Sequence, residues 1–211
     1  MAAEIDAMYA ETRAETGLAA MSPAVRAAML KVERHRLLSP AQAASAYGNH
    51  PLPIGSGQTI SQPYIVALSA DLLQVNKDSA VLEIGTGSGY QAAVLAEIAA
   101  RVFSVEIIES LAATAEKNLG ILQYKNIAFR IGDGYQGWPE KAPFDGIVVT
   151  AAAPQVPKAL VEQLKPGGRL VVPVGVAGGI QVLKLVTKGA DGGVSEKSVL
   201  PVRFVPLVPG N

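Results

Sequence analysis

The chain contains no cysteine, two histidines and one tryptophan, and aromatic residues make up only 5% of it. Without cysteine there is no disulfide, no thiolate nucleophile and no cysteine-ligated metal, although that absence does not fix a compartment. His35, between Arg34 and Arg36, and His50, before Pro51, read as surface or packing residues, so no metal centre is expected. Neither sign of charge is in excess: 18 basic residues balance 18 acidic ones, and no run of Lys or Arg stands out. Nucleic acid is therefore not an expected partner. No stretch approaches the ~18 apolar residues needed to span a bilayer, and no membrane partner is expected. Met1–Ala10 carries Glu4 and Asp6 and has neither a basic n-region nor an apolar h-region, so no signal peptide is expected. The expectation is a cytoplasmic monomer.

What is present is apolar but not aromatic. With 49% hydrophobic residues, the core should consist of Ala, Val, Leu and Ile, as in α/β proteins with buried parallel strands. A length of 211 residues suits one domain, or one domain with an appendage. The organising stretch is Val81-Leu82-Glu83-Ile84-Gly85-Thr86-Gly87-Ser88-Gly89-Tyr90. It reads as a buried strand, an abrupt glycine turn and then a helix over Ser88–Ala99, with Ala92, Leu95 and Ala99 at helical spacing. A dinucleotide fingerprint would put its third Gly where Tyr90 stands, and no Lys-Ser or Lys-Thr pair follows. The pattern points away from a phosphate and toward a ligand such as S-adenosylmethionine, with a tight turn that holds no ligand as the alternative.

Along the chain, the first 20 residues read as a helical arm. Ser22-Pro23 starts a helix running to about Glu33, and Ser39-Pro40 opens a shorter one ending near Gly48. Pro51–Pro63 is too rich in Pro and Gly for regular structure and reads as a functional loop. From Leu37 to Ala70 there is no Asp, Glu, Lys or Arg, where a chain 17% charged should place about six. Either the segment is buried, or it lines a pocket in which a stray charge would be costly. A helix is expected over Tyr64–Leu73. Strands then alternate with helices: strands at Ala80–Gly85, Val102–Ile107, Ile127–Gly132, Phe144–Ala151 and Arg169–Val174, helices at Ser110–Leu122 and Pro157–Leu164. Gln181–Thr187 and Val194–Val205 follow with no helix between them. The predicted fold class is α/β: a doubly wound, mostly parallel sheet with antiparallel C-terminal strands and an N-terminal helical extension. Residues 1–60 are expected to form the arm and substrate loop, and 61–211 the core, within a single globular unit.

Ligands in open α/β sheets sit at the carboxyl ends of strands, where this sequence puts Glu83, Glu106 and Asp133. Glu106, about 20 residues past the glycine turn, suits the hydroxyls of a ribose, or is a surface strand end. Asp133, flanked by glycines, suits an adenine amine, or is an Asp-Gly turn. Glu83 inside an apolar strand is costly unless hydrogen-bonded, and can order the loop amides, face a positive ligand, or be structural. On the acceptor side, Thr59 and Ser61 bracket Ile60, with an N-cap as the plain reading of Ser61. Trp138 reads as a packed corner. After the fourth strand, Thr150-Ala151-Ala152-Ala153-Pro154 stands where methyltransferases acting on base or amide nitrogen often carry an Asn- or Asp-Pro-Pro-aromatic motif. A carboxylate acceptor needs no general base, because it is already ionised at neutral pH.

With these residues in view, the chain resembles the protein-L-isoaspartate O-methyltransferases from about Ser22 onward. The resemblance is carried by Pro51–Gly55, Gly57–Pro63, Val81–Tyr90, Gly132–Gly134 with Gly137-Trp138, Ala142–Asp145, Thr150–Pro154, Pro173–Gly175 and Val202–Leu207. Thr59-Ile60-Ser61-Gln62-Pro63 is its most specific part. Leu37 stands where the family leads one to expect an aromatic, and the arm before Ser22 shows no clear family pattern. The resemblance implies a Rossmann-like fold and transfer of a methyl group from S-adenosylmethionine to the free α-carboxylate of L-isoaspartyl residues in damaged proteins and peptides. S-adenosylhomocysteine is left, and repair proceeds through a succinimide. By position, Ser61 matches the family's active-site serine with Thr59 beside it; Gly85, Gly87, Gly89, Glu106, Asp133 and Gly134, with Glu83, match the cofactor side; Ile54, Gly55, Gln58 and Ile60 fall in the substrate loop. A methyltransferase for a small molecule or RNA, or a silent S-adenosylmethionine-binding domain, are the other readings.

Overall fold

The computed structural model describes residues 1–210. A two-stranded hairpin, β1 (Leu52–Gly55) with β2 (Gln58–Ile60), precedes a seven-stranded sheet. The sheet contains β3 (Ala80–Ile84), β4 (Arg101–Glu106), β5 (Ile127–Ile131), β6 (Phe144–Val149), β7 (Leu164–Val174), β8 (Gln181–Lys188) and β9 (Val194–Val202). The helices are α1 (Ala2–Glu11), α2 (Arg13–Thr16), α3 (Pro23–Lys31), α4 (Pro63–Leu73), α5 (Tyr90–Ala96), α6 (Glu109–Ile121) and α7 (Lys158–Glu162).

Strand order is β5-β4-β3-β6-β7-β8-β9, parallel from β5 to β7 and antiparallel for the last two pairings. The central strands are apolar on both faces because both are covered. Val81, Val102, Val148 and Val171 join the core shared with α3, α4 and α5, while Leu82, Ile84, Phe103 and Ile147 join a second core beneath the opposite face. The strand–helix alternation, the antiparallel finish and the N-terminal helices all agree with the sequence expectation.

Three local expectations are corrected. The Pro51–Pro63 segment is not irregular: it holds the hairpin, whose two-residue turn puts Ser56 (φ 52) and Gly57 (φ 70) in the left-handed region. That is the backbone pattern of a tight two-residue hairpin, and Pro53 is tolerated because the ribbon has only two strands. The helix expected after Ser39-Pro40 is only a 3₁₀ turn over Ala43–Ser45, with a second over Arg34–Leu37. So short a segment cannot sustain α-helical cooperativity, and the Ala46 carbonyl is taken instead by Arg34 Nε at 2.8 Å. The helix expected over Ser88–Ala99 spans only Tyr90–Ala96, because Gly89 (φ 83) is its N-cap. The Ser22 cap forms as predicted: its Oγ accepts the Val25 amide at 3.2 Å, with Pro23 in the first turn.

The arm is folded into the core. Ile5 and Tyr9 are fully buried, and Tyr9 meets Tyr64 edge-on at 5.5 Å. The Tyr9 hydroxyl donates to Asp71 Oδ2 at 2.6 Å, and the same oxygen accepts the Ser22 amide at 3.2 Å. One carboxylate thus ties α1, the start of α3 and α4 together. Tyr9→Phe should lower the unfolding free energy by about 1.5–3 kcal/mol, the scale of a hydrogen bond to a charged group. The reading is a lower urea midpoint at unchanged m-value; an unmoved midpoint would show that this bond does not hold the arm.

Candidate active site

Because β3, β4 and β6 run parallel and in register, Ile84, Glu106 and Val149 finish on one rim of the sheet, where open α/β folds bind ligands. The backbone turns sharply after Ile84. Gly85 (φ 93) donates its amide to Val105 O at 2.8 Å, and Thr150 Oγ1 donates to Gly85 O at 2.6 Å. A Cβ on Gly85 would lie 2.3 Å from that hydroxyl, so only glycine fits between the turn and the end of β6. Glu106, at 6% exposure, closes the turn from the other side. Its Oε2 accepts the Gly87 amide at 2.8 Å, and its Oε1 accepts the Ile107 and Ile108 amides at 3.0 Å each. A carboxylate offers about four acceptor positions, so one remains for a ligand hydroxyl.

Two clefts meet above this turn. The first is floored by Gly85, Thr86, Gly87 and Ser88 and walled by Ile84, Val105, Ile107, Ile108, Gly134, Leu207 and Val208. Gln58, Thr59, Ile60 and Ser61 of the hairpin and its exit close its top. It encloses only about 70 Å³, with Ile54 Cδ1 3.4 Å from where a Cβ on Gly87 would sit. That volume is well below the ~300 Å³ usual for small-ligand sites, because the hairpin and the C-terminal tail lie close over the turn. The second cleft, about 720 Å³, is lined mainly by apolar groups from Met8, Pro51, Ile65, Ile180, Leu200, Val202 and Phe204, with Thr12 and Tyr64. Thr59, Ser61, Thr150 and Val205 line both clefts and form the boundary between them. The uncharged stretch from Leu37 to Ala70 thus reaches both.

The remaining sequence-selected residues are distributed as follows. Ser61 is not a helix cap: α4 begins at Pro63 with Gln62 as its N-cap and no side-chain cap bond. Gly134 lines the first cleft, and a Cβ on it would meet Ile84 Cγ2 at 2.4 Å. Asp133 stands just behind, its Oδ1 accepting the Tyr135 amide at 2.8 Å to cap a 3₁₀ turn. Gly89 lies behind the floor, where a Cβ would strike Leu119 Cδ1 at 2.7 Å. Gly55 is the exposed corner of the hairpin. Trp138 is a packed corner, edge-on to Phe103 at 5.6 Å, and both histidines are at least partly exposed, as expected.

Glu83 does not line either cleft. It is fully buried on the face of β3 that turns toward α5, and its Oε2 accepts a hydrogen bond from Ser104 Oγ. Ser104 is in turn 2.6 Å from Thr86 Oγ1, so a buried hydroxyl relay links Glu83 to the cleft floor. Several lining residues are not singled out individually by the sequence. Thr150 belongs to a motif but not to any charged or glycine pattern. Gln91 is 7% exposed and its Nε2 has no hydrogen-bond partner. The strand expected over Val194–Val205 ends at Val202, and the chain then leaves the sheet, Val205 and Leu207 pairing with Ala152 through amide bonds of 2.8 Å. Only the folded arrangement brings these together.

The first cleft's donor set fits S-adenosylmethionine. Its sole charged lining residue is Glu106, with no cation to meet a phosphate, while buried Gln91 presents an unmatched amide donor. Among the described residues no group of three or more His, Asp or Glu side chains is placed to hold a metal ion, and no helix is long and apolar enough to cross a membrane.

Burial pushes the Glu83 carboxyl up to about 8, against the opposing pull of the Ser104 hydroxyl. Unfolded, the same group ionises near 4.5. Between those values the folded chain holds one more proton, so the group's contribution is complete below about pH 4.5 and declines as pH rises, by at most about 1.4 kcal/mol per unit. Glu83→Gln should abolish that decline. Urea unfolding of both forms at intervals from about pH 5 to about pH 8 would reveal it as a difference that grows with pH; a constant difference would refute it.

Comparison with known proteins converges on one family. The profile of protein-L-isoaspartate(D-aspartate) O-methyltransferase matches residues 6–211. A protein-L-isoaspartate O-methyltransferase 2 of Polaromonas sp. (strain JS666) is 55% identical over 207 residues, covering 98% of each chain. A protein-L-isoaspartate O-methyltransferase 1 of Cupriavidus necator is 56% identical over 208 residues, covering 99% of this chain and 80% of its own. A solved protein-L-isoaspartate O-methyltransferase superposes with a TM-score of 0.83 at 31% identity over all of this chain and 67% of the other. A Plasmodium falciparum structure described as a putative member, in complex with S-adenosyl-L-homocysteine, shares the fold with a TM-score of 0.76 at 24% identity, covering 96% and 97%. Near-full-length identity above half, on a sheet whose glycine turn and hairpin enclose a methyl-donor cleft, shows that this chain belongs to the protein-L-isoaspartate(D-aspartate) O-methyltransferase family.

Proposed function

We propose that the chain methylates the free α-carboxylate of L-isoaspartyl residues in damaged proteins and peptides, as a cytoplasmic monomer, and so starts their repair through a succinimide. The observation that carries this reading is the shared boundary of Thr59, Ser61 and Thr150 between a narrow cleft of methyl-donor character and a wide, largely apolar one. Bound S-adenosylmethionine supplies an electrophilic methyl on a sulfonium centre, and S-adenosylhomocysteine is its product.

Within this reading the glycine turn, Glu106, Gln91 and Gly134 hold the cofactor, and Asp133 supports that wall from behind. Glu83, Gly85, Gly87 and Gly89 fix the shape of the turn: Glu83 through Ser104 and Thr86, the glycines by leaving no side chain where Thr150, Ile54 and Leu119 press in. Ser61, with Thr59, donates a hydrogen bond that orients the acceptor carboxylate without removing a proton, since that carboxylate is already ionised. Ile54, Gly55, Gln58 and Ile60 shape the hairpin that covers both partners. The hairpin and the arm of residues 1–60 serve as the acceptor wall, with Met8 and Thr12 contributing to it directly. Positioning and a water-poor site supply the rate enhancement, and nothing in the scheme calls for nucleic acid.

Methyl-labelled S-adenosylmethionine incubated with paired peptides that differ only in isoaspartyl versus aspartyl linkage should give base-labile label in the isoaspartyl member alone. Equal labelling of both would point to a different acceptor. Ser61→Ala should slow turnover by ~10² to 10³-fold, the scale of one positioning donor, with cofactor affinity nearly unchanged; full activity in that variant would remove Ser61 from the catalytic group.

A further inference from the structure

The acceptor cleft is built almost without charge, and this makes its one exception informative. Arg203 is the only ionisable acid or base other than Tyr64 among its lining residues. It follows β9 directly and is exposed, and among the described residues no carboxylate lies within ion-pair distance of it. Its backbone is nonetheless fixed on both sides: before it, Val202 pairs with Gln181 in the sheet, and two bonds follow it. The Phe204 amide donates to Gln181 Oε1 at 2.8 Å, and Val205 O accepts the Ala152 amide at 2.8 Å. The stem that carries the guanidinium is therefore anchored where the tail forms the boundary of both clefts, two residues from Val205. Glu15, on the arm, is close enough for its charge to be felt at Tyr64 but stands outside the lining.

We infer that Arg203 is a specificity-determining residue: it selects acceptor peptides that carry an acidic side chain within two residues of the isoaspartyl linkage and disfavours those with a basic one. The inference rests on the reading of this cleft as the peptide site. An unpaired cation on an anchored backbone at the edge of an otherwise uncharged cleft attracts a carboxylate and repels an ammonium, while the reacting carboxylate stays with Ser61. Because the guanidinium is exposed, each interaction is modest and screened by salt, as for a rim charge that acts mainly on encounter and binding. It belongs in KM rather than kcat.

The test is a set of isoaspartyl peptides identical except for Glu, Gln or Lys placed one or two residues to either side of the linkage. At low salt the unaltered chain should favour the best-placed Glu peptide over its Lys counterpart by about 5- to 10-fold in kcat/KM, chiefly through KM, and the gap should shrink at 1 M salt, where the screening length falls to about 3 Å. Arg203→Gln should erase the preference and Arg203→Glu invert it; because the ratio is read within each variant, a change in its absolute rate does not matter. Equal kcat/KM for Glu and Lys peptides, or a preference that survives Arg203→Gln, would overturn the inference while leaving the methylation reading intact. Failure of the unaltered chain to methylate any isoaspartyl peptide would overturn both.

Discussion

The contact on which the site depends is the Glu106 carboxylate across the glycine turn. Charge-assisted bonds from the Gly87, Ile107 and Ile108 amides fix the turn against the end of β4. Thr150 fixes it against the end of β6. The floor of the first cleft is thus held from the two strands that flank β3, and its geometry follows from parallel register rather than from the loop sequence alone. The same carboxylate leaves the cleft anionic, which suits a sulfonium and hydroxyl-bearing ligand and repels a phosphorylated one.

The opposite wall obeys a different constraint. Residues 39–59 are mostly exposed or half-buried, so burial in the core does not explain their lack of charge. Part of this segment lines the two clefts, and there a fixed charge would compete with the acceptor carboxylate or with the donor's sulfonium. Low charge also lets the hairpin lie against the turn, where Ile54 reaches Gly87. The arm completes this wall because Asp71 draws Tyr9 and Ser22 onto α4. Read alone, the sequence before Ser22 carries no clear family pattern, yet the family profile matches from residue 6, and the structure builds this arm into the wall of the wider cleft.

Much of this was legible in the chain itself. Ser22-Pro23 carries its own capping chemistry, and β3 with its glycines is a local strand–turn–helix unit. The alternation of apolar strands and helices implies a parallel sheet because a strand covered on both faces is apolar throughout. Elements that rely on distant partners were harder to read. The hairpin needs the left-handed pair Ser56-Gly57 to outweigh three prolines, and the Ser39-Pro40 helix signal yields to the contact between Arg34 and Ala46. Thr150 and Arg203 lie in stretches that carry the family resemblance and Gln91 just beyond one, but the role of each side chain follows only from what stands opposite it.

Sequence alone determined the fold class, the glycine turn with Glu106 at the right distance, and the family motif around Ser61, because each is written in short-range spacing and in side-chain chemistry. Tertiary structure decided that Glu83 acts from beneath the cleft and not within it, that the arm and the C-terminal tail form its walls, and that Ser61 stands between two cavities. Those outcomes depend on contacts between residues far apart in the chain, as between Tyr9 and Asp71, Thr86 and Ser104, or Ala152 and Val205. Which of these partners meet is set by the packing of whole strands and helices, and local propensity carries no record of it.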